Sequence, residues 1–566
     1  MAEELSALLL LPLLAFWVMR FVPINQEQFI DPYVYTGYIH NFRDLIARFD
    51  LTYYSVRFGL ILPAKWFAQL FGPLGGYFTL RYVLALIASV PLYYMVKGHF
   101  SQPVAILTVV GMMTSPYFAR ALLWDHPDAT GVPFLTASIC LFLLADRPSL
   151  WQDALAGACA AMAVNSNFFE VALLGIFGMT WLFCFLWFRR PLRELLKKCA
   201  GAAMGGLLVS AFGCLYYWRA LGRLTNIYAV TFRIMSALAK GGAKQWRTPG
   251  IDWIAMQIHV LIPVLLVVCC IVVARWRRVS FTSFVAIGFG LAVTGFYYVE
   301  QFFLESDVLQ LAYYFSYLMP AVFLMLAFLW QMLWKRTQQG AAVFIGIGAA
   351  AWLAPWLLAT WHIWQVPSMT VSQWFVLGGL AGAAMLFATR NLRLPHVHAV
   401  LPLVALILLT GCVTVGFADY SAPLHIGASK NTEMDVYRVA LQFIRAVPKV
   451  ADHSGSILFW YNNRVGNAVN SVQSTYLWGY SKLNKYPPGD PGLPSLDQGQ
   501  LRTLRQPELR YLGLLCESEA ELSQGLAALT RESVPFEMAD YRVLASGDYR
   551  IYYQLVELTH SPVARP

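Results

Sequence analysis

About thirteen apolar stretches, most of them near the ~20 residues that cross a bilayer as a helix, follow one another between positions 8 and 415. Inside lipid the backbone must satisfy its own hydrogen bonds, so each stretch predicts a transmembrane helix. The spans cover 8–22, 77–96, 103–118, 131–144, 154–164, 168–188, 200–218, 254–274, 281–299, 311–333, 341–358, 371–387 and 398–415. The composition agrees: 58% hydrophobic, 15% aromatic and 13% charged residues, with a mean hydropathy of +0.54. Glu3 and Glu4 stand where a signal peptide carries basic residues, and no small-residue cleavage site follows, so the first stretch is kept as a span.

The net charge of +10 belongs to the loops of a membrane protein and not to a nucleic-acid surface. Loops after the even-numbered spans carry Arg147, then Arg189, Arg190, Arg193, Lys197 and Lys198, then Arg275, Arg277 and Arg278, then Lys335 and Arg336, then Arg390 and Arg393. By the positive-inside rule these are cytoplasmic. The loops 165–167, 300–310 and 360–370 carry no Lys or Arg and face outward. Of the nine cysteines only Cys516 lies in a polar region, which excludes a disulfide in that region, and no spaced Cys/His set reads as a zinc site.

Three outward segments depart from simple loops. Residues 38–49 and 54–71 place apolar side chains at helical spacing among Arg43, Asp44, Arg48, Arg57 and Lys65, and read as amphipathic helices in the interface plane, with a re-entrant cover of the bundle as the plainer alternative. Residues 219–252 carry Arg219, Arg223, Arg233, Lys240, Lys244 and Arg247 on the side that should be poor in them. Either a lipid phosphate is bound there, since guanidinium forks match phosphate oxygens, or ordinary anionic head groups are attracted. From Asp419 to the end the composition becomes that of a soluble α/β domain, giving a division into 1–418 and 419–566.

Two acidic loops carry the candidate chemistry. Asp31 stands just after the first span, in Gln28-Phe29-Ile30-Asp31-Pro32-Tyr33-Val34-Tyr35, and Trp124-Asp125-His126-Pro127-Asp128 occupies the next outer loop. A glycosyl transfer needs a carboxylate to position or deprotonate the acceptor, and positive charge for the departing phosphate. Asp31, Asp125 and Asp128 are the candidate catalytic carboxylates; with His126 they could hold a divalent cation, Mg or Mn. The same residues also read as helix caps, Asp31 before Pro32 and Asp128 after Pro127. Tyr35, Glu170 and Glu300 face the same side as acceptor or cavity residues, with capping and solvation as their plainer roles.

An acid after the first span, interfacial helices in the first outer loop, an acidic second outer loop, about thirteen spans and an outward C-terminal domain together resemble the GT-C class of glycosyltransferases. That class includes protein O-mannosyltransferases, aminoarabinose transferases and arabinofuranosyltransferases. The resemblance implies an inverting transferase in the inner (plasma) membrane. Its donor would be a polyprenyl-(di)phosphate sugar, and its acceptor a glycan, lipid or protein at the periplasmic face. It puts the general base at Asp31 and the second-loop acids at Asp125 and Asp128. Asp31 is followed by Pro32 instead of a second acid, and the C-terminal domain has no Trp-Trp-Asp motif. In this reading Arg233, with Arg219, Arg223, Lys240 and Lys244, meets the donor phosphate. The alternative is a transporter or flippase of a lipid-linked saccharide, which should place ionisable residues at mid-membrane depth.

Overall fold

The computed structural model describes residues 2–18, 31–123, 126–144, 149–241, 261–275, 279–304, 306, 308–309, 312–337, 341–360, isolated positions between 381 and 442, 457–461, 504–505, 510–547 and 549–559. The helices are α1 (Ala2–Val18), α2 (Asp31–Phe49), α3 (Phe58–His99), α4 (Gln102–Thr114), α5 (Pro116–Leu123), α6 (Asp128–Leu144), α7 (Leu150–Ser166) and α8 (Glu170–Trp187). They continue with α9 (Leu192–Leu221), α10 (Ile227–Gly241), α11 (Leu261–Arg275), α12 (Phe281–Phe302), α13 (Met319–Thr337, preceded by the tighter turn Ser316–Leu318) and α14 (Ala341–Thr360). Among the described residues five helices are long and apolar enough to cross a membrane, and α4 and α5 form a sixth candidate bent by 58°. The chain is a multi-pass membrane protein. The expected spans 371–387 and 398–415 lie almost wholly outside the described residues.

Helices are present in both segments expected to be helical between the first two spans, with their ends moved. The first begins at Asp31, seven residues earlier than its periodicity suggested, and the second is the leading part of α3. Gly72 interrupts α3 with φ 75° and ψ 171°, a conformation a β-carbon would strain, and Pro73 follows. The chain therefore kinks there, dividing α3 into a leading segment and a following one. On α2 the buried positions Val34, Tyr35, Tyr38, Ile39, Phe42, Leu45 and Ile46 repeat every three to four residues, while Arg43 is exposed on the other side.

The bundle is held by backbone approach at small residues, as expected where lipid removes the hydrophobic drive between helices. Helix α9 carries Gly201-Ala-Ala-Met-Gly205 and lies against α7 at Ala154 and Gly157. A β-carbon on Gly205 would stand 1.7 Å from the Ala154 carbonyl oxygen, and one on Gly157 1.9 Å from that of Ala202. At the same contact the buried Lys198 ammonium donates to Asp153 (3.3 Å) and to the Phe142 carbonyl (2.7 Å). The opposite surfaces are apolar: Leu155 of α7 is 54% exposed and Leu207 of α9 69%. At 30 residues, and ~1.5 Å per residue, α9 spans about 45 Å. That exceeds the ~30 Å hydrocarbon layer, so its basic ends, Arg193 with Lys197 and Arg219, lie beyond it.

The C-terminal part forms a four-stranded sheet in the order β1 (Ile457–Tyr461), β2 (Tyr511–Cys516), β4 (Tyr549–Leu558), β3 (Phe536–Ser546). The first pair is parallel and the others are antiparallel. Helix α15 (Glu519–Arg531) packs on β2 and β4 through Leu522 and Leu529. Ser518 caps it, its hydroxyl accepting from the Glu521 amide at 3.2 Å. All six residues of β2 are buried, which is why its sequence runs apolar without alternation.

Candidate functional site

The first turn of α2 lies against the second acidic loop. Tyr35, one turn beyond Asp31 and fully buried, sets its ring edge-on to His126 with centroids 5.9 Å apart, and to Tyr54 at 5.3 Å. Thr36 and Tyr77 share a hydroxyl hydrogen bond of 3.2 Å that ties the same turn to α3. The loop between these helices is fixed in turn by Tyr217 of α9, which donates to the Ser55 carbonyl.

At the start of α6, Asp128 is wholly buried. A carboxylate taken out of water costs several kcal/mol unless it is paired, and here every oxygen is engaged. His126 Nδ1 lies 2.9 Å from Oδ2, where its N–H can donate. Oδ1 accepts from the Tyr317 hydroxyl and, at 3.3 Å, from Asn167 Nδ2. The N-terminus of α6 adds its partial positive charge.

Asn167 is the hub of this network. Its Nδ2 also donates to the Tyr317 oxygen at 2.9 Å, while its Oδ1 accepts from the Phe169 amide at 3.2 Å and from Arg57 Nη1 at 3.4 Å. Arg57 is itself buried, donating to the Ser166 carbonyl at 3.2 Å with its guanidinium 4.9 Å from the Tyr53 ring centre. A buried cation therefore stands one amide away from the buried Asp128. Glu170 opens α8 next to this group and is also wholly buried. A β-carbon on Gly131 would lie 2.1 Å from its Oε1 and 3.1 Å from the Tyr317 oxygen. Neither Glu170 oxygen has a hydrogen-bond partner among the described residues, so the capping role open to it in the sequence is not the one it fills.

The other candidate residues are more scattered. Asp31 begins α2, but its side chain, that of Lys240 at the end of α10, and all of Asp125 and Lys244 lie outside the described residues. Arg219 and Arg233 are exposed. Arg223 pairs with Asp50 across the surface, and that hydrogen bond holds the Asp50 carboxyl below its ordinary range. Glu300 sits half-buried near the end of α12. No group of three His, Cys, Asp or Glu side chains among the described residues could hold a metal ion.

Sequence reasoning did not single out Arg57, Asn167 or Tyr317. Arg57 was one charge among several on an amphipathic stretch. Asn167 belonged to a polar break between two spans, the available signal, and Tyr317 lay inside an apolar run with nothing to mark it.

Residues 64–218 match the family model for dolichyl-phosphate-mannose-protein mannosyltransferases. The whole chain has the fold of ArnT from Cupriavidus metallidurans, solved bound to undecaprenyl phosphate: the TM-score is 0.51 at 12% identity, covering 100% of this chain and 99% of that one. The Archaeoglobus fulgidus oligosaccharyltransferase, solved with a tethered acceptor peptide, aligns over 100% of this chain and 74% of its own, at 12% identity and a TM-score of 0.43. No curated protein matches significantly. The resemblance to GT-C glycosyltransferases thus extends over the whole chain as a fold, and over 64–218 as sequence.

Proposed function

We propose that this protein is an inverting glycosyltransferase of the inner (plasma) membrane. It moves a hexosyl or pentosyl unit from a polyprenyl-(di)phosphate donor to a glycan, lipid or protein acceptor at the periplasmic face. The observation that carries this reading is the meeting of Tyr35 and His126, which sets the turn that begins at Asp31 beside the loop that ends at Asp128. The match over residues 64–218 and the ArnT fold, solved with a polyprenyl phosphate bound, support the same class of donor.

In the reaction, Asp31 accepts the proton of the acceptor hydroxyl as its oxygen attacks the anomeric carbon. The bond from that carbon to the phosphate oxygen breaks, and the polyprenyl (di)phosphate leaves with the electron pair from the face opposite the attack. Asp125 is the second acid of the site. Asp128, saturated by His126, Tyr317 and Asn167, is a positioning residue that holds the second loop and orients the His126 ring. Arg57 balances its charge, and Arg233, with Arg219, Arg223, Lys240 and Lys244, receives the leaving phosphate. A divalent cation, were one held by the acids Asp31, Asp125 and Asp128 with His126, would add charge neutralisation at that phosphate.

The test is release of radiolabelled sugar from a polyprenyl-phosphate donor by purified protein, run beside a vesicle assay for movement of the same donor across the bilayer. Transfer without transport supports the proposal. Transport without transfer overturns it.

A further inference from the structure

The membrane half remote from Asp128 contains a groove that no step of the transfer uses. Glu170 at the start of α8 and Tyr297 near the end of α12 belong to the Asp128 end, linked by Phe169, whose ring centre is 5.7 Å from that of Tyr297. The end of α8, the end of α11 and the start of α12 therefore lie at the opposite face. Between them runs an apolar groove of about 680 Å³ whose walls include Phe183, Cys184, Ile271, Gly288 and Leu291. Its volume falls within the ~300–1,000 Å³ common for small-molecule sites. Gly288 lets α12 pack close to α8 at the groove wall, where a β-carbon would meet Thr180 at 3.0 Å.

The rim of this groove is basic. Arg275, in the last turn of α11, lines it and is exposed, and among the described residues no carboxylate pairs with it. Arg190 stands at the same end, its guanidinium 4.1 Å from the ring centre of Phe281, the first residue of α12. An apolar trough closed at the interface by a cation complements a molecule with a hydrocarbon tail and an anionic head. Arg189 and Arg190 between α8 and α9 add to the same field.

We infer that this groove binds one anionic diacyl glycerophospholipid from the leaflet remote from Asp128, an acyl chain lying between α8, α11 and α12 and the phosphate at Arg275. The site is separate from the one proposed for the donor, so its failure would leave the transfer reading untouched.

The experiment is native mass spectrometry of the full-length protein, stripped of lipid in detergent and titrated with phosphatidylglycerol or phosphatidylcholine. Wild type should retain phosphatidylglycerol about fivefold more strongly, one basic side chain near the surface being worth on the order of 1 kcal/mol. Arg275→Gln should abolish that preference, and Gly288→Trp or, as a second groove-filling variant, Leu291→Trp should abolish retention of both lipids. Equal retention of the two lipids by wild type, or a preference unchanged in Arg275→Gln, overturns the inference.

Discussion

The hydroxyl of Tyr317 donates to Oδ1 of Asp128 across 189 positions of sequence, joining the turn before α13 to the start of α6. Between them Asn167 bonds both, so three segments distant in the chain share one buried carboxylate.

Tyr317→Phe removes one donor from that carboxylate without changing its packing. A buried acceptor left one bond short costs about 1–3 kcal/mol. The variant should unfold at lower temperature in detergent, and its transfer rate should fall because the second loop loses a tether. Thermal unfolding by intrinsic fluorescence and initial rates on the same preparation check both effects.

The α7–α9 contact tolerates no side chain at its centre. Gly205→Leu must push apart backbones that approach within contact distance, and overpacking of this kind costs about 1–3 kcal/mol or more. Gly178→Leu, on the α8 surface where nothing lies within 4 Å, is the matched control and should be near neutral. Detergent-solubilised unfolding midpoints should separate the two variants clearly.

These relationships were unequally legible in the sequence. The membrane class followed from the length and number of the apolar runs, and the helices between the first two spans followed from charges interrupting an apolar period. The mixed α/β character of the C-terminal part followed from the change of composition at Asp419. The buried network was not legible. Arg57 looks like any cation of an amphipathic helix until folding buries it beside Asn167, and Tyr317 is indistinguishable from an interfacial aromatic in an apolar run. Such pairings depend on which spans become neighbours, and periodicity within one span carries no record of that.

In the C-terminal sheet, partial burial and the nearby Glu521 carboxylate raise Glu517 from 4.5 to about 7. The folded state then holds a proton that the unfolded chain has released, so stability falls as pH rises from about 4.5 to about 7. Below that window the group contributes no penalty. Hydrogen exchange at β2 and α15 in the full chain, corrected for intrinsic rates, should show weaker protection at pH 8 than at pH 5. Glu517→Gln should remove most of the difference.

The central claim is that the acid opening α2 does the proton transfer beside the Asp128 loop. Its most direct test is the initial rate of sugar transfer from a polyprenyl-phosphate donor by purified Asp31→Asn protein, shown to be folded by its unfolding midpoint. A general base contributes about 10²–10⁴-fold, so the rate should drop by at least a hundredfold with the midpoint unchanged. A folded Asp31→Asn protein that turns over at a near-normal rate would contradict the account.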